Sequence, residues 1–144
     1  KVLIIDPGDE FKKIDKVISG EVEEILVTHS HQDHIGALKE LENKYQIKHN
    51  TFKKETFKYE VIKTPGHTND SLSFYFPEEK VMFTGDFLFA NSIGRMDMPT
   101  GSRGDMESSL LKISKYPLDT VICPGHYYTS TLGDALDIVK NFFV

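Results

Sequence analysis

Thr28-His29-Ser30-His31-Gln32-Asp33-His34 is the stretch on which the reading of this chain turns. It follows directly on Ile25-Leu26-Val27, an apolar β-branched run that reads as a buried strand. Four side chains able to bind a metal then fall within six residues: His29, His31, Asp33 and His34. His29 and His31 are two apart, so in an extended segment their imidazoles point the same way. Asp33 and His34 arrive as helical spacing begins through Ile35, Leu38, Leu41 and Tyr45, which directs them to a second position nearby. A lone histidine ahead of a helix is commonly a turn or surface residue. Four such groups together are a different pattern.

Outward from this stretch the same arrangement repeats three times. Val61-Ile62-Lys63 leads into Thr64-Pro65-Gly66-His67, Val81-Met82-Phe83 into Thr84-Gly85-Asp86, and Val121-Ile122-Cys123 into Pro124-Gly125-His126. In each case a strand stops, the chain turns, and a metal-capable side chain appears. Strand ends hold such groups rigidly while the loops leave them reachable. Ligand pockets of α/β folds favour the same ends. The candidate donors number seven: His29, His31, Asp33, His34, His67, Asp86 and His126. One tetrahedral ion takes about four ligands, and imidazole with carboxylate suits Zn²⁺ or Fe²⁺. Seven donors suit two adjacent ions that share a carboxylate and a water. His49 lies outside every such turn and reads as surface, and Cys123 reads as a small buried hydrophobe of its strand.

The remaining pattern is α/β. Strands are expected at 2–6, 24–28, 56–63, 71–76, 80–84 and 120–123, with helices at 10–18, 34–45, 105–115 and 132–143. Pro77-Glu78-Glu79 reads as a hairpin turn. Mixed strands and helices predict a sheet covered by helices. The 144 residues fit a single domain, 1–144, and the 39% apolar share is enough for a core. Acidic residues outnumber basic ones 22 to 17, for a net charge of −5, which disfavours nucleic acid as a partner. With one cysteine no intrachain disulfide forms, so a cytoplasmic location is the expectation. No apolar run approaches the roughly 20 residues of a membrane span. The opening run Lys1–Asp6 is too short for a signal-peptide core. The expected partner is therefore a small-molecule substrate, not a membrane, with the oligomeric state open and a homodimer among the options.

His29-Ser30-His31-Gln32-Asp33-His34 resembles the HxHxDH signature of the metallo-β-lactamase superfamily. His67 in TPGHT, Asp86 in FTGD and His126 in PGH follow in the family's order. The resemblance runs from Ile5-Asp6-Pro7-Gly8 to the last helix. It implies an αββα sandwich, two mixed sheets flanked by helices, with the metal site at one edge. Carried over residue by residue, it implies that His29, His31 and His67 hold one ion, that Asp33, His34 and His126 hold the other, and that Asp86 bridges them. Two Zn²⁺ per chain are expected, with Fe²⁺ or a mixed Fe/Zn pair as the alternative. Phe87–Asp97, with its Gly94-Arg95-Met96-Asp97, is similar to the glyoxalase II-like (hydroxyacylglutathione hydrolase-like) and persulfide-dioxygenase-like branch, as is Ser130-Thr131-Leu132-Gly133. His31 separates the chain from the flavodiiron branch, which has Glu there. The tRNase Z-like nucleases share HxHxDH but carry substrate-binding modules not found here. Relative to the family pattern these 144 residues start directly at the strand before Asp-Pro-Gly, their stretch between His34 and His67 is short, and those after His126 are too few for the helical glutathione-binding domain of glyoxalase II.

The expected activity is hydrolysis, with a metal-bridging hydroxide attacking an ester-type carbonyl, a thioester above all. A thiolate leaves readily because thiol pKa values lie near 8.5. Asp33 would orient the nucleophile and help pass a proton. Arg95 offers a fork for a substrate carboxylate, or else pairs with Asp97 within its loop. Tyr127 and Tyr128 follow a ligand and either line the pocket or serve only in packing. The alternatives are a mononuclear Fe²⁺ persulfide dioxygenase built on His29, His67 and Asp86, a lactonase or other hydrolase of the same fold, and a non-catalytic metal-binding domain.

Overall fold

The computed structural model describes residues 1–143. The chain folds as two compact units, Lys1–Lys58 and Tyr59–Val144.

The first unit carries β1 (Val2–Ile5), α1 (Phe11–Val17), β2 (Val22–Leu26), α2 (Gln32–Ile35) and α3 (Leu38–Tyr45). β1 and β2 form a two-stranded parallel sheet, and α1 supplies the crossover that parallel strands require. Ile25 and Leu26 of β2 are buried. Ile25 packs with Leu38 and Leu41 of α3, while Phe11 and Ile14 of α1 lie against the same cluster. The helix expected over 34–45 is broken after Ile35 and resumes at Leu38. Ala37 N–H donates to Pro7 O at 3.0 Å across the break. A Cβ on Gly36 would lie 2.0 Å from Gly8 O. The helix yields there because two backbone segments touch, and only glycine allows the approach.

The second unit carries β3 (Glu60–Lys63), β4 (Leu72–Phe76), β5 (Val81–Gly85), α4 (Arg103–Ile113), β6 (Val121–Pro124), β7 (Ser130–Thr131) and α5 (Leu132–Val139), with a 3₁₀ turn over Lys140–Phe143. Its sheet is mixed, in the order β3-β4-β5-β6-β7. β3, β4 and β5 run antiparallel, with the 77–80 turn closing the β4–β5 hairpin. β6 lies parallel to β5 after the crossover through α4. β3 starts at Glu60, four residues later than the alternation from Thr56 implies. α4 is capped by Ser102, which accepts from Asp105 N–H, and α5 by Thr131, which accepts from Asp134 N–H. Met106 and Ile113 of α4 and Leu132 and Ala135 of α5 are buried on Met82 and Ile122 of the sheet. Both sheets thus carry helices, as the α/β reading expects. Among the described residues no helix is long and apolar enough to cross a membrane.

Candidate metal centre

In the first unit the donor cluster sits just past the end of β2 and in the first turn of α2. His29 and His34 are buried, and their ring centroids are 4.2 Å apart. His31 meets His29 edge-on at 4.9 Å. Asp33 is more exposed, with Oδ2 3.6 Å from His34 Nε2. A further acidic group joins this neighbourhood that spacing does not single out. Asp6, just past β1, takes a left-handed backbone (φ 50°) and directs its carboxylate at the cluster. Oδ1 accepts from Thr28 N–H at 2.7 Å. Oδ2 lies 2.6 Å from Thr28 Oγ1 and 2.8 Å from His34 Nδ1.

These contacts fix protons. A carboxylate only accepts, so His34 Nδ1 carries the hydrogen. The one hydroxyl proton of Thr28 goes to Asp6, so Thr28 Oγ1 accepts from His29 Nδ1, 3.0 Å away. With Nδ1 so engaged, Nε2 is the nitrogen of His29 and of His34 left to serve as a metal donor. One donor atom from each of Asp6, His29 and His34 lies within 4.8 Å of the others. Asp6 also stands where a buried strand meets Pro-Gly, but ahead of that turn and not after it, so the strand-end pattern passes over it.

In the second unit, His67 follows β3, Asp86 follows β5 and His126 follows β6. His67 is buried, and its Nδ1 donates to Arg95 O at 2.8 Å, which again leaves Nε2 as the lone-pair nitrogen. His67 Nε2 lies 3.6 Å and His126 Nε2 3.3 Å from Asp86 Oδ2. These separations exceed the 2.7–3.2 Å range of N–H···O hydrogen bonds. Separations of this size are those of neighbouring donor atoms around one cation. An imidazole held through one nitrogen by a carboxylate or carbonyl, with the other turned to the ion, is also how metal-binding histidines are arranged. The donor chemistry of both units fits divalent metal.

A pocket of about 560 Å³ opens at His67, Asp86 and His126. Phe89, Ile93, Tyr127 and Tyr128 supply its apolar and aromatic wall. Tyr127 is 78% exposed and takes a left-handed backbone (φ 69°), a cost of the kind that persists at functional sites. Its ring packs edge-on against Phe89 at 5.5 Å. Tyr128 OH accepts from Asn91 Nδ2 at 3.2 Å. Arg95 lines the same pocket, but its guanidinium is occupied: Nε and Nη2 donate to the two carboxylate oxygens of Asp97 at 2.7 and 2.8 Å. This fork holds the Asp97 carboxyl down to about 2 and raises Arg95 above its ordinary value, so both stay charged at neutral pH.

His49 is exposed, with Nδ1 2.9 Å from Glu42 Oε2 on its own unit's surface. Cys123 is half-buried, and burial pushes its thiol up, which favours the protonated form.

The sequence profile described as "Metallo-beta-lactamase superfamily" matches residues 1–57 and 48–126. Among solved structures, the BLEG-1 B3 metallo-beta-lactamase is similar at 29% identity and a TM-score of 0.85, over 94% of this chain and 85% of that one. TTHA1623, solved in a di-iron-bound form, is similar at 27% identity and a TM-score of 0.80, over 90% and 84%. ETHE1 from Myxococcus xanthus shares the fold at 22% identity and a TM-score of 0.73, over 99% and 80%.

Proposed function

The chain belongs to the metallo-β-lactamase superfamily, and from that premise we propose that it is a metal-dependent hydrolase acting on a thioester. The observation that carries the reading is that Asp86 Oδ2 lies near both His67 Nε2 and His126 Nε2, at 3.6 and 3.3 Å. A carboxylate within reach of imidazole donors from two separate strand ends suits a ligand common to two ions. In this proposal His29, His31 and His67 hold one ion, Asp33, His34 and His126 hold the other, and Asp86 serves both. Neither unit alone supplies enough donors for two ions of about four ligands each. The family likeness supports drawing both sets into one centre.

When bound, two such ions lower the pKa of water to near 7 and polarise a carbonyl oxygen. The protein's own groups do the rest. Thr28, Asp6 and the Arg95 carbonyl hold His29, His34 and His67 with Nε2 directed outward. Asp33, with half its side chain exposed, accepts a hydrogen bond from the attacking water and carries its proton toward the leaving group. A thiolate needs little of that help. Phe89, Ile93 and Tyr127 give the acyl group an apolar wall.

The same donor types also suit iron, and the di-iron form of TTHA1623 supports iron as the second reading. Metal analysis of the purified chain, followed by assay on thioesters, lactones and persulfides, tests the proposal. Two ions with thioester turnover are expected. A single iron with oxygen uptake on persulfides would replace hydrolysis by dioxygenation. Asp86→Ala is expected to lose metal and turnover together, and full metal retention in that variant would remove Asp86 from its shared role.

A further inference from the structure

The segment between Asp86 and Arg95 leaves the sheet and folds back on itself. Leu88 and Ile93 form an isolated antiparallel bridge, and Phe89 N–H donates to Ser92 O at 2.8 Å. Gly94 N–H donates to Phe87 O at 3.2 Å. The return is tight: a Cβ at Gly94 would stand 1.8 Å from Asp86 O and 3.0 Å from His67 Cβ. The next residue, Arg95, places its carbonyl 2.8 Å from His67 Nδ1. Two residues on, Asp97 closes the fork with the Arg95 side chain. Among the described residues lining the pocket, Arg95 is the one permanent cation, and that cation is spent on Asp97.

We propose that Arg95 and Asp97 are positioning residues that act through His67, and that the pocket they border receives an uncharged part of the substrate. The fork fixes the conformation of residues 95–97. That conformation aims the Arg95 carbonyl at Nδ1 and so keeps His67 in the tautomer with Nε2 available. The cost of this arrangement is the guanidinium itself, which would otherwise grip a carboxylate bidentately. The inference rests on reading His67 as a metal ligand, and it deepens the hydrolase reading by naming the charge of the substrate group.

The test uses the full chain labelled with ¹⁵N-histidine, and compares the parent with Arg95→Ala, Arg95→Lys and Asp97→Asn. In metal-free protein, long-range ¹H–¹⁵N correlations read the tautomer of each histidine. The parent is expected to show His67 protonated at Nδ1. Arg95→Ala and Asp97→Asn are expected to shift His67 to a tautomer mixture, with His49 unchanged as the internal control. Arg95→Lys, which keeps the charge but not the fork, should fall between. Zn²⁺ affinity should drop about tenfold, as for other groups that orient a ligand from behind. In the metal-loaded protein, KM for a carboxylate-bearing thioester and for an uncharged one should change by the same factor. The proposal is overturned if His67 keeps its tautomer and Zn²⁺ affinity in both folded variants. It is equally overturned if Arg95→Ala raises KM selectively for the carboxylate-bearing substrate. Should Arg95→Ala fail to fold, Asp97→Asn, at an exposed carboxylate, carries the same readouts. The tautomer and zinc measurements need no turnover. A chain that cleaves no thioester therefore defeats the hydrolase reading and the substrate-charge part of this one, while the positioning role of Arg95 and Asp97 is still decided by those two measurements.

Discussion

Asp6 Oδ2 lies 2.8 Å from His34 Nδ1, so a residue at the end of β1 sets the protonation of a histidine 28 positions away. Removing the carboxylate frees His34 to rotate and to protonate at the wrong nitrogen. Asp6→Ala is expected to weaken Zn²⁺ binding by about 10- to 100-fold, in line with the loss of other groups behind metal-binding histidines. Competition against a chromophoric chelator measures it. An affinity equal to the parent's would show that His34 needs no such support.

Thr28 relays the same carboxylate to His29. Thr28→Val removes the hydroxyl but keeps the shape, leaving a buried His29 Nδ1–H without its acceptor. The expected loss is about 1–3 kcal/mol, the cost of stranding a buried polar group. Thr28→Ser should restore most of it. Chemical denaturation of the three proteins decides the matter, and a Val variant as stable as the parent would mean that His29 finds another acceptor.

Gly94 and Gly104 make a matched pair. At Gly94 a methyl group would collide with Asp86 O at 1.8 Å, and the neighbour is backbone that has little room to move. Gly94→Ala should cost on the order of 1–3 kcal/mol through overpacking and reduce the metal content. At Gly104, inside α4, the nearest atom to a new Cβ is Ser102 Oγ at 4.0 Å. Gly104→Ala should therefore stabilise the chain by about 0.4–1 kcal/mol. Thermal unfolding with metal stoichiometry on both variants checks the contrast.

Acid stability should carry the mark of Asp15. Hydrogen bonds from Lys44 and Tyr45 hold its carboxyl below the ordinary 3.8. A group depressed on folding stabilises the native state above its unfolded pKa and loses that contribution as the pH falls through its folded one. The Tm gap between parent and Asp15→Asn should thus be constant near neutrality and close below pH 3.8. The pair lies at the surface, so salt should narrow the gap as well. A gap that persists unchanged into strong acid would assign the stabilisation to packing.

The strand-end turns are legible in sequence because each couples a run of buried β-formers to a Pro or Gly and then a polar group. His67, Asp86 and His126 stand after β3, β5 and β6 where that pattern puts them. Helix and strand boundaries are less legible where backbone meets backbone. The gap between α2 and α3 comes from Gly36 against Gly8 O, a contact that apolar spacing does not encode. β7 leaves no pattern because two residues, Ser130 and Thr131, are too few to show alternation. Asp6 is hidden for another reason. A single acidic residue before Pro-Gly looks like turn chemistry, and its role emerges only when β1 is laid beside β2.

β5 and β6 run side by side in the same direction, with Gly85 opposite Pro124 and Gly125 N–H bonded to Gly85 O at 2.7 Å. Asp86 and His126 are thus suspended from adjacent rungs of one ladder, whose spacing of about 4.8 Å is a constant of β-structure. Stretches between those rungs that touch neither Asp86 nor His67, the exposed face of α4 among them, can change character while the gap between the two side chains stays put. The chain is free to reshape what surrounds its chemistry because the ruler that sets the chemistry lies elsewhere.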